Sequence, residues 1–136
     1  MFSLHSIAAY YANPENWDTD ALYQWLDIRD DTSFFRLFKE YLAQLGRPKQ
    51  ATKECLSFIE HFCRYHKGSI TRLCSLERSR EGLQLYPPPQ AKWLAQFQEK
   101  TIRDSANKAY DELLDFLQEL CLLWQEHLRD DANKKN

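Results

Sequence analysis

The sequence contains no valine and few residues that interrupt helices. Its aliphatic side chains include 19 leucines and 5 isoleucines, and its 136 residues include 3 glycines and 5 prolines. β-Branched residues pack well on a pleated sheet, whereas leucine loses little rotamer freedom in a helix. We therefore expect an all-α fold that contains no β-sheet.

Long apolar runs are also missing. No segment approaches the roughly 18 consecutive apolar residues of a membrane span. The first residues lack the basic start and the continuous apolar core of a signal peptide. Four cysteines are sparse for a secreted disulfide scaffold. We therefore expect a protein that crosses no membrane and works in the cytoplasm.

Helical periodicity predicts a single domain over residues 1–136, folded as a compact bundle of about five to six amphipathic helices. An apolar candidate helix covers residues 1–12, and the next begins at Pro14 or near Asp18 and ends near Ile28. A third helix follows the capping residues 30–33 and stops before Gly46. The predicted layout is N-terminal helices in 1–82, a proline-rich connector in 83–89, a helical region in 90–130 and a disordered tail in 131–136.

A long central helix is predicted from Lys49 to about Arg80, because its apolar residues keep one phase across Gly68. In the alternative, the helix ends at Gly68 and Ser69 caps the next one.

The C-terminal region changes its apolar face along the chain. Trp93, Leu94 and Phe97 lie opposite the apolar stripe that begins at Ala109, if both belong to one straight helix. We expect a break near Asp104 and Ser105, either of which can cap a new helix. The alternative is one helix of about 40 residues whose two halves face different partners.

Aromatic and apolar residues flank the run of three prolines at 87–89. Those after the run are out of phase with the main C-terminal stripe, and aromatic residues often anchor partner interfaces. The alternative is that this segment folds back and buries them within the same chain. The predicted partner-binding residues are Tyr86, Trp93, Leu94 and Phe97.

Basic residues concentrate in the middle of the chain. Residues 47–80 carry a net charge of +5, between segments of −4 and −3. On one helix the basic residues of this segment would form a stripe, flanked by aromatic rings. Such a surface could track phosphates and stack on bases, or it could be an ordinary solvated face. The residues of this alternative site are Lys49, Lys53, Arg64, Lys67 and Arg78, with Phe58 and Tyr65.

The remaining clusters of acidic, cysteine and histidine residues indicate neither a catalytic site nor a metal site. Acidic residues of the last helix lie opposite its apolar face, as on a solvated surface: Asp111, Asp115, Glu119 and Glu126. Cys63 and His66 share a helix turn, but the other cysteines recur too far apart on a helix to complete a zinc site. No phosphate-binding loop, dinucleotide-binding glycine pattern or hydrolase motif occurs. We therefore predict no catalytic residue, no metal and no cofactor.

Together these patterns favour a non-catalytic helical module for protein–protein interaction, of the adaptor, assembly-subunit, inhibitor or immunity type. The expected partner is another protein or a second copy in a homodimer. The alternative is a helical nucleic-acid-binding protein, or a small subunit of a nucleoprotein complex, that uses the basic face. A third possibility left open by the sequence is an enzyme whose site is assembled from scattered residues.

Overall fold

The structure, a computed structural model, describes residues 14–79, 82–86 and 88–134. The predicted helix at residues 1–12 lies outside the described residues. Where the structure describes side chains, most apolar ones point into two cores. The elements are, in chain order, α1 (Pro14–Trp25), α2 (Asp31–Gln44), α3 (Lys49–His66), α4 (Ile70–Leu73), β1 (Ser75–Ser79), β2 (Gly82–Tyr86), α5 (Ala91–Leu94) and α6 (Lys100–Lys134).

These elements form a compact helical bundle with a long C-terminal helix, as the sequence predicts. Helices α2, α3 and α6 surround the larger core, in which Phe38 stacks on Phe116 at a ring-centroid distance of 5.0 Å. Phe34 meets the same Phe116 ring edge-on at 5.4 Å. Aromatic pairs of this kind add to the stabilisation that burial provides. This core fixes α6 against the two preceding long helices.

Local capping sets the start of α2. Asp30 is the N-cap residue, and its carboxylate accepts a hydrogen bond from the backbone N–H of Ser33 at 2.9 Å. The Ser33 hydroxyl in turn accepts from the backbone N–H of Asp30 at 3.1 Å, which completes a capping box. The bond from Ser33 lowers the pKa of the Asp30 carboxyl. Helix α2 ends before Gly46, which has a φ of +78°.

The predicted central helix through Gly68 is wrong, because α3 ends at His66. Lys67 adopts the left-handed conformation with a φ of 54°, and its N–H bonds back to the carbonyl of Arg64. Gly68 follows Lys67 and lies close to the Leu73 side chain, from which an added Cβ would be only 3.2 Å away. The apolar residues keep the same helical phase on both sides of Gly68 because α4, the next helix, packs against the same core.

The all-α class is confirmed, and only the narrower expectation of a fold without any β-sheet is wrong. Strands β1 and β2 pair antiparallel, with Leu76 opposite Leu85 and Ser79 opposite Gly82. Strand β2 therefore occupies most of the segment predicted as a proline-rich connector. Helix α1 packs against β1, which places the hairpin beside the N-terminal end of the described chain.

The break predicted near Asp104 and Ser105 is wrong as well. Helix α6 runs uninterrupted through both residues and continues to Lys134, past the start of the predicted tail. The interruption lies earlier, between α5 and α6, so Trp93 and Phe97 are not on the long helix at all. The alternative of one helix of about 40 residues is wrong too, because Trp93 lies in α5 and Phe97 in the segment between α5 and α6. Within the described parts of the chain, no helix combines the length and the apolar character that crossing a bilayer requires.

Candidate interaction groove

A second, smaller core joins α3, α5 and α6. Its buried residues, named here the aromatic core, are Phe62, Trp93, Ala106 and Tyr110. The Trp93 side chain has an exposed fraction of 0%, and its ring meets Phe62 edge-on at 5.0 Å. Its indole Nε1 donates a hydrogen bond of 2.8 Å to Nδ1 of His61. The one polar atom of the indole is therefore satisfied although the ring is buried.

The prediction that Trp93 anchors a partner from an exposed position is therefore wrong. The short helix α5 folds back onto α3, which is the alternative in which the segment is buried within its own chain. Leu94 and Phe97 are half-buried at the edge of the aromatic core. Tyr86 ends β2, and its side chain lies outside the described part of the structure. Of these four residues, Phe97 lines an open groove.

Two hydrogen bonds fix the segment that carries Phe97. The Tyr110 hydroxyl donates to the backbone carbonyl of Pro88 at 3.1 Å. At the other end, a guanidinium nitrogen of Arg103 donates to the carbonyl of Phe97 at 3.3 Å. Both donors belong to α6, so the long helix holds this segment against α3 and sets the position of the Phe97 ring.

An open groove of about 490 Å³ lies between α3 and the Phe97 segment. Its apolar part is formed by Phe58 and Phe97, which meet edge-on at 5.8 Å, and by His61, whose ring is 5.3 Å from Phe97. We call it the α3 groove. Its lining residues are Gln50, Lys53, Glu54, Ser57, Phe58, His61, Arg64 and Phe97.

The electrostatics of the α3 groove are mildly basic. Lys53 and Arg64 are exposed on its rim, and neither takes part in an ion pair with the described residues. Glu54 contributes one negative charge to the same rim. His61 accepts the indole hydrogen bond at Nδ1, so the neutral ring carries its proton at Nε2 and can donate there.

The α3 groove collects residues from both predicted sites, because Lys53, Phe58 and Arg64 come from the basic stripe and Phe97 from the aromatic cluster. The stripe itself does not exist as one helix face, since Arg78 lies in β1. Lys49 is exposed at the start of α3, and Lys67 lies beyond its end. Tyr65 is half-buried against the aromatic core.

Sequence reasoning missed His61 as a groove residue. Its spacing of three from Phe58 and from Arg64 places it on the same side of α3. Periodicity alone could not indicate that Trp93, 32 residues later, would bond to it.

The acidic residues of α6 are exposed, as the sequence predicts for Asp111, Asp115, Glu119 and Glu126. Leu122 lies among them with an exposed fraction of 52%. Glu112, at the edge of this face, is drawn into an ion pair with Arg47 at an Nε–Oε1 distance of 3.3 Å.

Burial makes the cysteine thiols poor nucleophiles and poor ligands. It raises the pKa of the Cys55, Cys63 and Cys74 thiols to about 12, well above their ordinary value near 9. The thiolate is the reactive form of cysteine, so Cys63 is unsuited to attack a substrate even with His66 one turn away. Among the described residues, no three side chains of the metal-binding types lie close enough to hold an ion.

Comparison with known proteins gives no further guide to the groove. The chain matches no protein-family model, and no curated protein or solved structure is similar to it at a significant level.

Proposed function

We propose that this chain is a non-catalytic helical module for protein–protein interaction, of the adaptor, assembly-subunit, inhibitor or immunity type, and that it binds through the α3 groove. The observation that carries this proposal is the groove itself. Phe58 and Phe97 form an apolar floor, and the cations Lys53 and Arg64 stand on its rim. Aromatic floors with charged rims suit a partner helix or peptide that carries apolar anchors.

The chemistry of the groove also suggests which segments it accepts. Lys53 and Arg64 would attract carboxylates, while the Phe58 and Phe97 rings would bury one or two apolar side chains. The preferred partner segment is therefore amphipathic and acidic. The raised pKa of the Cys63 thiol removes one candidate nucleophile.

Peptide display tests this proposal. Random peptides selected on the wild-type protein should include clones with an apolar residue flanked by acidic ones. Their affinity should fall roughly tenfold or more when Lys53→Glu and Arg64→Glu are combined, because attraction at both positions becomes repulsion. Arg36→Glu with Lys39→Glu is the matched control, since both residues are exposed on α2 and make the same change in net charge.

The control pair should leave binding unchanged apart from a small general effect. The proposal would be overturned if no selected peptide distinguished the groove variant from the control. Phe58→Ala adds a second readout, because loss of the apolar floor should weaken the same clones without altering net charge.

A second candidate function is binding to single-stranded nucleic acid through the same groove. Aromatic rings beside Lys53 and Arg64 are the combination that single strands use for stacking and phosphate contact. Against it, the predicted five-residue stripe is divided between α3 and β1, and the chain as a whole is acidic. Fluorescence anisotropy with labelled single-stranded RNA and duplex DNA, at about 50 and about 200 mM salt, tests it. Tight binding that collapses at the higher salt would put this function first.

A further inference from the structure

The outer face of α6 carries an exposed apolar side chain surrounded by acids. Leu122 has an exposed fraction of 52%, the largest among the exposed large hydrophobic residues of the described chain. At 100° per residue, Asp115, Glu119 and Glu126 fall within roughly 60° of Leu122 around the helix axis. We call this surface the α6 acidic face. It has the chemistry proposed above for the partner of the α3 groove.

We propose that the α6 acidic face of one copy docks in the α3 groove of a second copy. This inference rests on the proposed function, because it names the partner of the same groove. The apolar contact is Leu122 against the rings of Phe58 and Phe97. The polar contacts are carboxylates of α6 with Lys53 and Arg64, which lack ion-pair partners among the described residues.

The spacing of the charges supports this pairing. Lys53 and Arg64 are 11 residues apart on α3, and Asp115 and Glu126 are 11 residues apart on α6. Eleven residues are close to three helical turns, so each pair lies on one side of its helix with a separation of roughly 17 Å along the axis. When two helices lie side by side, equal separations let both pairs of charges meet.

An antiparallel alignment satisfies all of these contacts. Glu126 then lies opposite Lys53, and Asp115 lies opposite Arg64. Leu122 falls opposite Ser57, beside the Phe58 ring at the groove floor. In the same register Asp130 lies opposite Lys49, which is also exposed.

One pair in this register is repulsive, because Glu119 lies opposite Glu60. Like charges in direct opposition weaken an interface. The association should therefore be modest and sensitive to salt, as expected of exposed ion pairs. Replacing Glu60 by lysine should strengthen it, since the one repulsion becomes an attraction.

The two surfaces differ, so the contact is head-to-tail. Each copy offers one groove and one acidic face, and a contact between unlike surfaces leaves one of each free at the ends. This property allows a sharp test. A copy with a blocked groove and a copy with a blocked acidic face cannot associate with themselves, but they still share one intact contact.

Sedimentation velocity on the full chain at low salt provides the measurement. The average mass of the wild type should rise with concentration and return to that of a monomer at high salt. Lys53→Glu with Arg64→Glu should abolish this rise, and so should Leu122→Asp, which places a carboxylate against the apolar floor of the groove. A mixture of these two variants should form a 1:1 dimer, because the mutated groove and the mutated face repel each other and one intact contact remains. Glu60→Lys alone should associate at lower concentration than the wild type. All substituted residues are exposed, and circular dichroism of each variant is the check that it folds.

Two results would overturn the proposal: a wild type that stays monomeric at every concentration, or a mixture of the groove variant and the Leu122→Asp variant that stays monomeric. Its failure is distinguishable from failure of the proposed function. If peptides selected on the wild type still bind the α3 groove while the chain remains monomeric, the groove serves another protein and only the self-association is wrong.

Discussion

The indole N–H of Trp93 donates to Nδ1 of His61 across a distance of 2.8 Å, and this bond joins α5 to α3. Indole has a single polar atom, which can only donate, so the buried ring depends on His61 for an acceptor. The imidazole in turn is held against Phe97, at the floor of the α3 groove. The pair therefore links the burial of one predicted anchor residue to the shape of the proposed binding surface.

Removal of the acceptor should destabilise the protein. His61→Ala leaves the Trp93 N–H buried without a partner, and we expect the free energy of unfolding to fall by about 1–3 kcal/mol. Urea denaturation followed by tryptophan fluorescence measures the loss. The loss should be smaller in the Trp93→Phe background, in which no donor remains. Equal losses in both backgrounds would show that the hydrogen bond contributes nothing.

The left-handed Lys67 should be a site where glycine stabilises. A side chain in this conformation carries a steric cost that glycine does not, so Lys67→Gly should raise the free energy of unfolding by roughly 0.5–1 kcal/mol. Gly46 allows the opposite substitution to be tested. Its φ is +78°, and an added Cβ would meet no other atom within 4 Å, so only the backbone conformation would be strained. Gly46→Ala should destabilise by about 1 kcal/mol. Thermal denaturation of both variants checks the pair, and changes of the same sign would contradict it.

Asp31 caps a helix that is distant in sequence. Its carboxylate accepts from the Ser69 hydroxyl and from the backbone N–H of Ile70 at 3.1 Å, at the start of α4. Asp31→Ala should cost about 1 kcal/mol, as the loss of an N-cap does elsewhere. Thr32→Ala is the control, since Thr32 is exposed on the same turn of α2. Chemical denaturation that finds equal stability in the two variants would remove this role from Asp31.

Because the cysteine thiols are buried, we expect the protein to lose stability at alkaline pH. Burial raises the pKa of the Cys55, Cys63 and Cys74 thiols to about 12, so the folded protein keeps its protons where the unfolded chain has released them. The free energy of unfolding should hold up to about pH 9 and fall above it, with a slope of up to about 1.4 kcal/mol per pH unit for each thiol. Urea titrations between about pH 8 and about pH 10 measure this slope. Cys63→Ala should make it shallower, and an unchanged slope would exclude that thiol as a source.

The sequence predicts the elements whose signals are local. The start of α2 follows from Asp30 and Ser33, which are three residues apart, and its end follows from Gly46. The apolar stripe of α6 follows from a 3.6-residue period that most of the helix obeys. These features depend on residues that are close in sequence and not on tertiary contacts. Residue types and their spacing were therefore sufficient to predict them.

The hairpin could not be predicted from composition because strand formation depends on context. A pair of five-residue strands needs few β-branched residues when a helix packs on it, as α1 does on β1. The alternation of Leu83, Gln84 and Leu85 is the signal that the absence of valine obscured. Similarly, the phase across Gly68 could not show that Lys67 would end α3, because α4 returns to the same core.

The candidate site was predicted in pieces. The sequence singled out Lys53, Arg64 and Phe97, but it assigned them to two separate surfaces. The groove exists because α5 folds back onto α3, where Trp93 is buried and bonds to His61, 32 positions away. Periodicity identified Trp93 as out of phase, yet it could not tell a partner protein from a distant part of the same chain.

The stack of Phe38 on Phe116 has a consequence for the newly made chain. Helix α2 leaves the ribosome long before its aromatic face can be covered, because the covering ring lies 78 residues later. At typical elongation rates of about 5–20 residues per second, this interval is on the order of 4–16 s. During translation the sides of the Phe34 and Phe38 rings that Phe116 covers are therefore accessible to other nascent chains and to chaperones. Synonymous codons that slow synthesis between α2 and α6 would lengthen that interval and lower the soluble yield without changing a single residue.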